Sequence, residues 1–257
     1  MTSSRHTAQF TLRHLRALWR QPAYIMMTLA QPLIWLLLFS QLFSRVAQIP
    51  GFGSGSYLTY LVPGLVVMTA LMSAGWSGMT FIEDIDRGVM DRLLVSPVWR
   101  GSLNIGLLVQ GACITVVQSA VLVGIAVLMG ARFGGGVAGL AAMVGVAMLL
   151  GGAFSALSNG FALVARQRES LIGMVTMLTL PLTFLSSVFM QPAFLPAWIR
   201  NVSRYNPVNW AAEAARATTQ ANPDWTSAGA HAVLLLAVLL GCMMLATLSF
   251  RTYQRSM

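Results

Sequence analysis

Charge is absent from six long stretches of this chain: Ile25 to Ser44, Tyr57 to Ile82, Ser102 to Ala131, Phe133 to Ala165, Ser170 to Ile199 and Ala232 to Phe250. At ~1.5 Å per helical residue, about 20 residues cross a ~30 Å hydrocarbon layer, so each stretch is long enough for one crossing. An ionised side chain near the middle of such a helix costs roughly 2.5 to 3.5 kcal/mol on insertion scales, which drives charges into the joints. The pattern predicts an all-α, polytopic membrane protein with six transmembrane helices in a single membrane domain over residues 1–257. Several stretches exceed one crossing, so their ends belong to loops or interfacial turns. Six crossings leave no room for a separate soluble domain and put both termini on one side.

Between the runs, three segments are amphipathic. Residues 5–22 place Ala8, Leu12, Leu15 and Trp19 on one stripe and Gln9, Arg13, Arg16 and Arg20 on its flank, as in a helix lying along the membrane surface. A cleaved signal peptide is the rival reading, but the apolar run that follows is too long and Arg45 spoils any small-residue cleavage pattern. Residues 83–100 hold seven of the chain's 23 charged side chains: Glu83, Asp84, Asp86, Arg87, Asp91, Arg92 and Arg100. As a helix this segment pairs Glu83 with Arg87 and Arg87 with Asp91 at i, i+4, aligns Ile85, Val89 and Leu93 on one face, and stops at Pro97. Residues 192–222 are too apolar for a solvated loop. Leu195, Trp198, Ile199 and Val202 form a stripe opposite Arg200, Asn201 and Arg204, and Asn206-Pro207 opens a second helix through Trp210 to Arg216. They predict two short external helices, interfacial or re-entrant, with Trp198, Tyr205, Trp210 and Trp225 at headgroup depth.

Composition agrees: 56% of residues are hydrophobic and 9% charged, against roughly 25% charged in soluble domains. The net charge of +9 comes from sixteen arginines and no lysine, which excludes a phosphate-loop lysine, a Schiff base and a lysine general base. Cys113 and Cys242 lie inside apolar runs and read as small buried hydrophobes, not as a disulfide or metal ligands. With cytoplasmic termini, eleven arginines fall inside and five (Arg45, Arg132, Arg200, Arg204 and Arg216) outside. That imbalance favours this orientation, so residues 83–100 face the cytoplasm. The composition suits a bacterial cell membrane.

Within the runs, Ala147, Gly151, Ser155 and Asn159 recur every fourth residue, a ridge for close helix packing that offers Asn159 as a hydrogen-bonding group. Pro181 breaks the fifth run, where neighbouring hydroxyls can satisfy freed carbonyls. Gly111, Thr115 and Gln118 share a face of the third run, and Thr183, Phe184 and Ser187 follow the break in the fifth. Together they outline a substrate path, apolar with a few hydrogen-bonding groups, that suits an amphiphile better than a sugar polymer. No catalytic or metal site is expected. Gly75-Trp76-Ser77-Gly78 and His231 carry the residue types of an intramembrane serine protease, yet topology sets them near opposite membrane faces, whereas proton transfer needs about 3 Å. An ion-coupled carrier usually holds ionisable groups at mid-depth; these runs hold none, and Glu169 reads as neutralised by Arg166 and Arg168.

QPLIWLLLF in the first run, YLTYLVPGLVVM in the second, EDIDRGVMDRLLVSPVWR after it, and PLTFLSSVFMQPAFLPAWIRNVSRYNPVNW around the fifth resemble, in order and spacing, the permease subunits of type-2 ATP-binding-cassette exporters. The likeness is closest to the daunorubicin-resistance type of drug-efflux permease; Ser187 stands where that family more often has glycine. The resemblance implies a homodimer seated on separate ATP-hydrolysing subunits that bind the ATP and magnesium, with no cofactor on this chain. It also implies that residues 83–100 form a coupling helix gripped by the ATPase. Glu83, Asp86, Arg87, Gly88, Asp91, Arg92, Pro97 and Arg100 match that pattern. An ion-coupled secondary transporter and a polysaccharide-exporting permease are the alternatives.

Overall fold

The computed structural model describes residues 22–43, 56–86, 101–165 and 167–255, and every regular element among them is helical. In chain order they are α1 (Pro22–Leu42), α2 (Tyr57–Gly75), α3 (Ser77–Asp86), α4 (Gly101–Leu128), α5 (Gly136–Ala165), α6 (Arg168–Phe184), a 3-10 turn (Pro192–Phe194), α7 (Ala197–Ser203), α8 (Pro207–Thr219) and α9 (Trp225–Arg255). The amphipathic segment 5–22 lies almost wholly outside the described residues.

Helix α2 is the axis of the bundle. Every residue from Leu61 to Leu71 is buried, and α1, α4, α5, α6 and α8 all pack against it. A helix that is apolar all round can be stable only inside other helices or lipid. Helix α9 shows the opposite case: Ala228, Leu235 and Ala246 are buried, while Val233, Leu234, Leu236, Leu240, Met244, Leu245 and Leu248 are exposed. So large an apolar surface on a helix of this length belongs against hydrocarbon.

Contacts fix the directions. Gly78 meets Ser158 and Gly151 meets Ala70, so α2–α3 and α5 run the same way; Gly152 beside Leu239 and Gly160 beside Ala246 align α9 with them. Tyr60 bonds Ser187 at one end of α6 and Asp86 meets Arg168 at the other, so α6 runs opposite. The turn from α4 into α5 closes on Gly130, whose φ of 95° is a left-handed value. Ala131 N–H donates to the Ala126 carbonyl and Gly130 N–H to that of Val127, the paired bonds that stop a helix at a glycine.

Four helical stretches are long and apolar enough to cross a membrane: Tyr57–Glu83, Leu108–Leu128, Gly136–Ala165 and Trp225–Ser249. Four of the six expected runs thus appear as full-length helices. The first appears as the shorter apolar stretch Thr28–Leu42. The fifth differs from expectation: its helix ends at Phe184 after 17 residues, and 185–191 is irregular backbone. Pro181 does not end the helix, since Leu185 N–H still donates to its carbonyl at 2.8 Å. The external helices also differ in part. Asn206 caps α8 by accepting from Val208 N–H at 2.9 Å, as Asn-Pro predicts, but α8 is no surface helix: Val208, Asn209, Ala211, Ala212, Ala214 and Ala215 are buried. Its small residues allow the close approach, and a Cβ on Gly135 or Gly139 would overlap the Thr218 carbonyl.

Candidate functional site

Three polar assemblies stand out in this apolar bundle. The first lies where α6 ends. Backbone leaving a helix within a membrane protein must find partners in the protein itself, and here side chains from α2, the α7–α8 junction and α8 supply them. Asn206 Nδ2 donates to the carbonyls of Leu182 and Leu185 at 2.7 and 2.8 Å. Asn209 Oδ1 accepts from Ser187 N–H at 2.9 Å. The Tyr57 and Tyr60 hydroxyls donate to the carbonyls of Phe189 and Ser187 at 2.9 and 2.8 Å.

Arg216 completes the set. Its guanidinium donates to the Ser187 and Val188 carbonyls at 2.7 and 2.9 Å, to Ser187 Oγ at 3.1 Å and to the Tyr60 carbonyl at 3.2 Å. It also lies 3.8 Å over the Tyr60 ring, an arrangement in which the cation meets the negative face of the aromatic system. Burial pushes its pKa down, opposed by the nearby Tyr60 and Glu213 groups; an arginine stays protonated regardless. Glu213 holds Asn209 Nδ2 at 3.0 Å and faces His231 Nε2 at 3.5 Å.

The second assembly joins α2–α3 to α5. Helix α2 breaks at Trp76, and Ser158 of α5 bridges the break, donating to the Gly75 carbonyl and accepting from Gly78 N–H at 3.1 Å. Ser77 Oγ lies 2.7 Å from both Ser155 Oγ and Asn159 Oδ1. The small-residue ridge with Asn159 as cross-helix partner therefore serves internal packing. The hydrolase-like Ser77 is held by serine and asparagine, whereas His231 bonds the Ser227 carbonyl at 2.9 Å in a different cluster; the two do not meet.

Beside this joint a narrow cleft opens between α2, α3, α4 and α5, with Ser73, Ser77, Thr80, Gly111, Thr115 and Ser155 among its walls. Ser73 Oγ donates to Gln118 Oε1 at 2.9 Å, and the buried Gln118 Nε2 has no hydrogen-bond partner among the described residues. Thr115 lines this cleft, and Gln118 lies behind its wall through Ser73. Thr183, Phe184 and Ser187 do not join them. Thr183 is buried and bonds the Thr179 carbonyl at 2.8 Å, Ser187 is buried under Arg216, and only Phe184 is open, 56% exposed. The five residues belong to two separate places.

The third assembly is at the far end of α3. Glu83 lies inside the helical run that ends at Asp86, and Asp86 Oδ2 meets Arg168 Nη2 at 3.4 Å. Arg87, Gly88, Asp91, Arg92, Pro97 and Arg100 lie outside the described residues. Cys113 and Cys242 are free thiols.

The model of the ABC-2 type transporter family matches residues 6–219. The chain belongs to the ABC-2 type transporter family. It is 29% identical over 252 residues to a daunorubicin resistance ABC transporter permease protein of Streptomyces coeruleorubidus, covering 95% of this chain and 86% of that one. Proteins named as transport permeases from Pyropia yezoensis (30% identical; 77% of this chain, 68% of the other) and Porphyra purpurea (27%; 80% and 71%) are also similar. This ABC-2 permease is accordingly a multi-pass membrane protein of the ABC transporter class. Sequence reasoning on the permease missed Arg216 and its carbonyl partners. The available signal was a lone arginine in the small-residue helix AAEAARATT, with Pro63-Gly64 breaking the pattern elsewhere.

Proposed function

We propose that this chain is the membrane subunit of an ATP-driven exporter that moves an amphiphilic drug, antibiotic or lipid-like molecule out of the cytoplasm or inner leaflet. The observation that carries this reading is the near full-length similarity to a daunorubicin resistance permease. ATP and magnesium act in a separate ATP-binding subunit, and two copies of this chain form the path in a bacterial cell membrane with cytoplasmic termini. All six apolar helices cross, α1 and α6 included, and α7 and α8 form the external side. Residues 83–100 are the coupling helix; support comes from α3, which carries Glu83 and Asp86 straight out of the central helix. The cleft lined by Ser73, Thr80 and Thr115, with Gln118 behind Ser73, offers hydroxyl groups in an apolar setting, the chemistry that would orient an amphiphile.

Co-reconstitution with the cognate ATP-binding subunit, followed by daunorubicin uptake into inside-out proteoliposomes, tests the proposal. ATP-dependent uptake is expected, together with loss of partner-dependent ATP hydrolysis in Arg87→Glu. Uptake driven by a proton or sodium gradient without the ATPase would establish the secondary carrier instead.

A further inference from the structure

We infer that Arg216 is a positioning residue that ties the end of α6 to α2, so that segment 185–191 and the central helix move as one body. The inference rests on the exporter reading only for what drives the motion. Its geometry stands by itself. Between Leu185 and Gln191 the backbone is irregular, and Ser187, Val188 and Phe189 give their carbonyls to Arg216, Tyr60 and Tyr57. Both tyrosines belong to α2, and Arg216 also bonds the Tyr60 carbonyl.

Two features make the tie tight. Arg216 holds Tyr60 twice, donating from Nε to its carbonyl at 3.2 Å and lying 3.8 Å over its ring. Gly64 then lets the other backbone in: a Cβ at this position would lie 2.5 Å from the Val188 carbonyl oxygen. A lysine cannot replace the guanidinium, because a single ammonium cannot address three carbonyls and a hydroxyl in one plane while stacking on the Tyr60 ring.

The consequence is directional. Helices α2 and α3 form one run from Tyr57 to Glu83, with the tie at its first turn and the Asp86–Arg168 contact just past its last. Helix α6 therefore meets α2–α3 at both ends, held by Arg216 at one and touching through the half-exposed Asp86–Arg168 contact at the other. A push delivered to α3 shifts the α6 terminus and the external segment along with α2, and exposed Phe184 with them.

Paired spin labels at Leu58 and Met190 test the tie in the full-length protein. A single narrow distance is expected in the lone chain, unchanged when the ATP-binding subunit and ATP with vanadate are added. Arg216→Met and Arg216→Lys should broaden it, raising the untied population about tenfold, the effect of losing a hydrogen bond to a charged group. Tyr60→Phe, which keeps the ring and the fold, should broaden it less. A wild-type distance that changes with nucleotide, or an Arg216→Met distance as narrow as the wild type, overturns the inference. Absence of partner-dependent ATP hydrolysis would instead refute the exporter reading, while the lone-chain distance would still decide the tie.

Discussion

Ser77 on α3 and Asn159 on α5 meet at 2.7 Å, 82 positions apart, immediately after the break at Trp76 that Ser158 bridges. Ser158 engages the backbone groups at the break, and the Ser77–Asn159 bond adds a side-chain link between the same two helices. Cross-helix hydrogen bonds in membrane proteins average about 0.6 kcal/mol and reach about 1.7. Asn159→Ala is therefore expected to lower stability by ~1 kcal/mol, read as the midpoint of unfolding in mixed micelles. Ser77→Ala should cost a similar amount, and the double variant less than the sum, because both remove one contact.

Glycines divide by what surrounds them. At Gly78 an added Cβ would press within 2.5 Å of the Ser158 carbonyl oxygen, whereas Gly111 has nothing within 4 Å. Gly78→Ala should sharply reduce the yield of folded protein by size-exclusion chromatography. Gly111→Ala should raise stability by a few tenths of a kcal/mol to about 1, since alanine is the better helix former.

Asp86 and Arg168 form a pair with each side chain about half exposed, and exposed pairs contribute roughly 0 to 1 kcal/mol. Reversal of charge in Asp86→Arg should leave the unfolding midpoint nearly unchanged and lower partner-dependent ATP hydrolysis. Adding Arg168→Asp restores the pair but not the acidic group at position 86 that the coupling proposal requires. Hydrolysis that recovers in the swapped variant would show that the internal pair is the functional element.

Gln118 leaves an amide N–H₂ buried without a partner among the described residues. Replacing such a group by an apolar one of similar volume recovers its desolvation cost. Gln118→Met should stay within about 1 kcal/mol of wild-type stability and, on the exporter proposal, weaken any stimulation of partner ATP hydrolysis by an amphiphilic drug. Unchanged stimulation would remove Gln118 from the substrate path.

Much of the architecture was legible in the sequence because insertion into lipid depends on local windows of about 20 residues. Four of the six uncharged runs became spanning-length helices, and Asn206-Pro207 capped α8 as a local motif should. The end of α6 at Phe184 was not legible. Residues 170–199 are uncharged throughout, and what allows the backbone to leave the helix there is a set of partners 21 to 132 positions away.

By itself the sequence determined that this chain lies in lipid, where four of its long helices run, and which segments carry charge. Those are properties of composition and period, decided residue by residue against the cost of burying charge. Only the tertiary structure decided that Arg216 turns inward to Tyr60, 156 positions away, that α8 is buried, and that Thr115 and Ser187 serve different places. Those outcomes depend on which carbonyls are left without partners once the helices pack, and no local pattern encodes that.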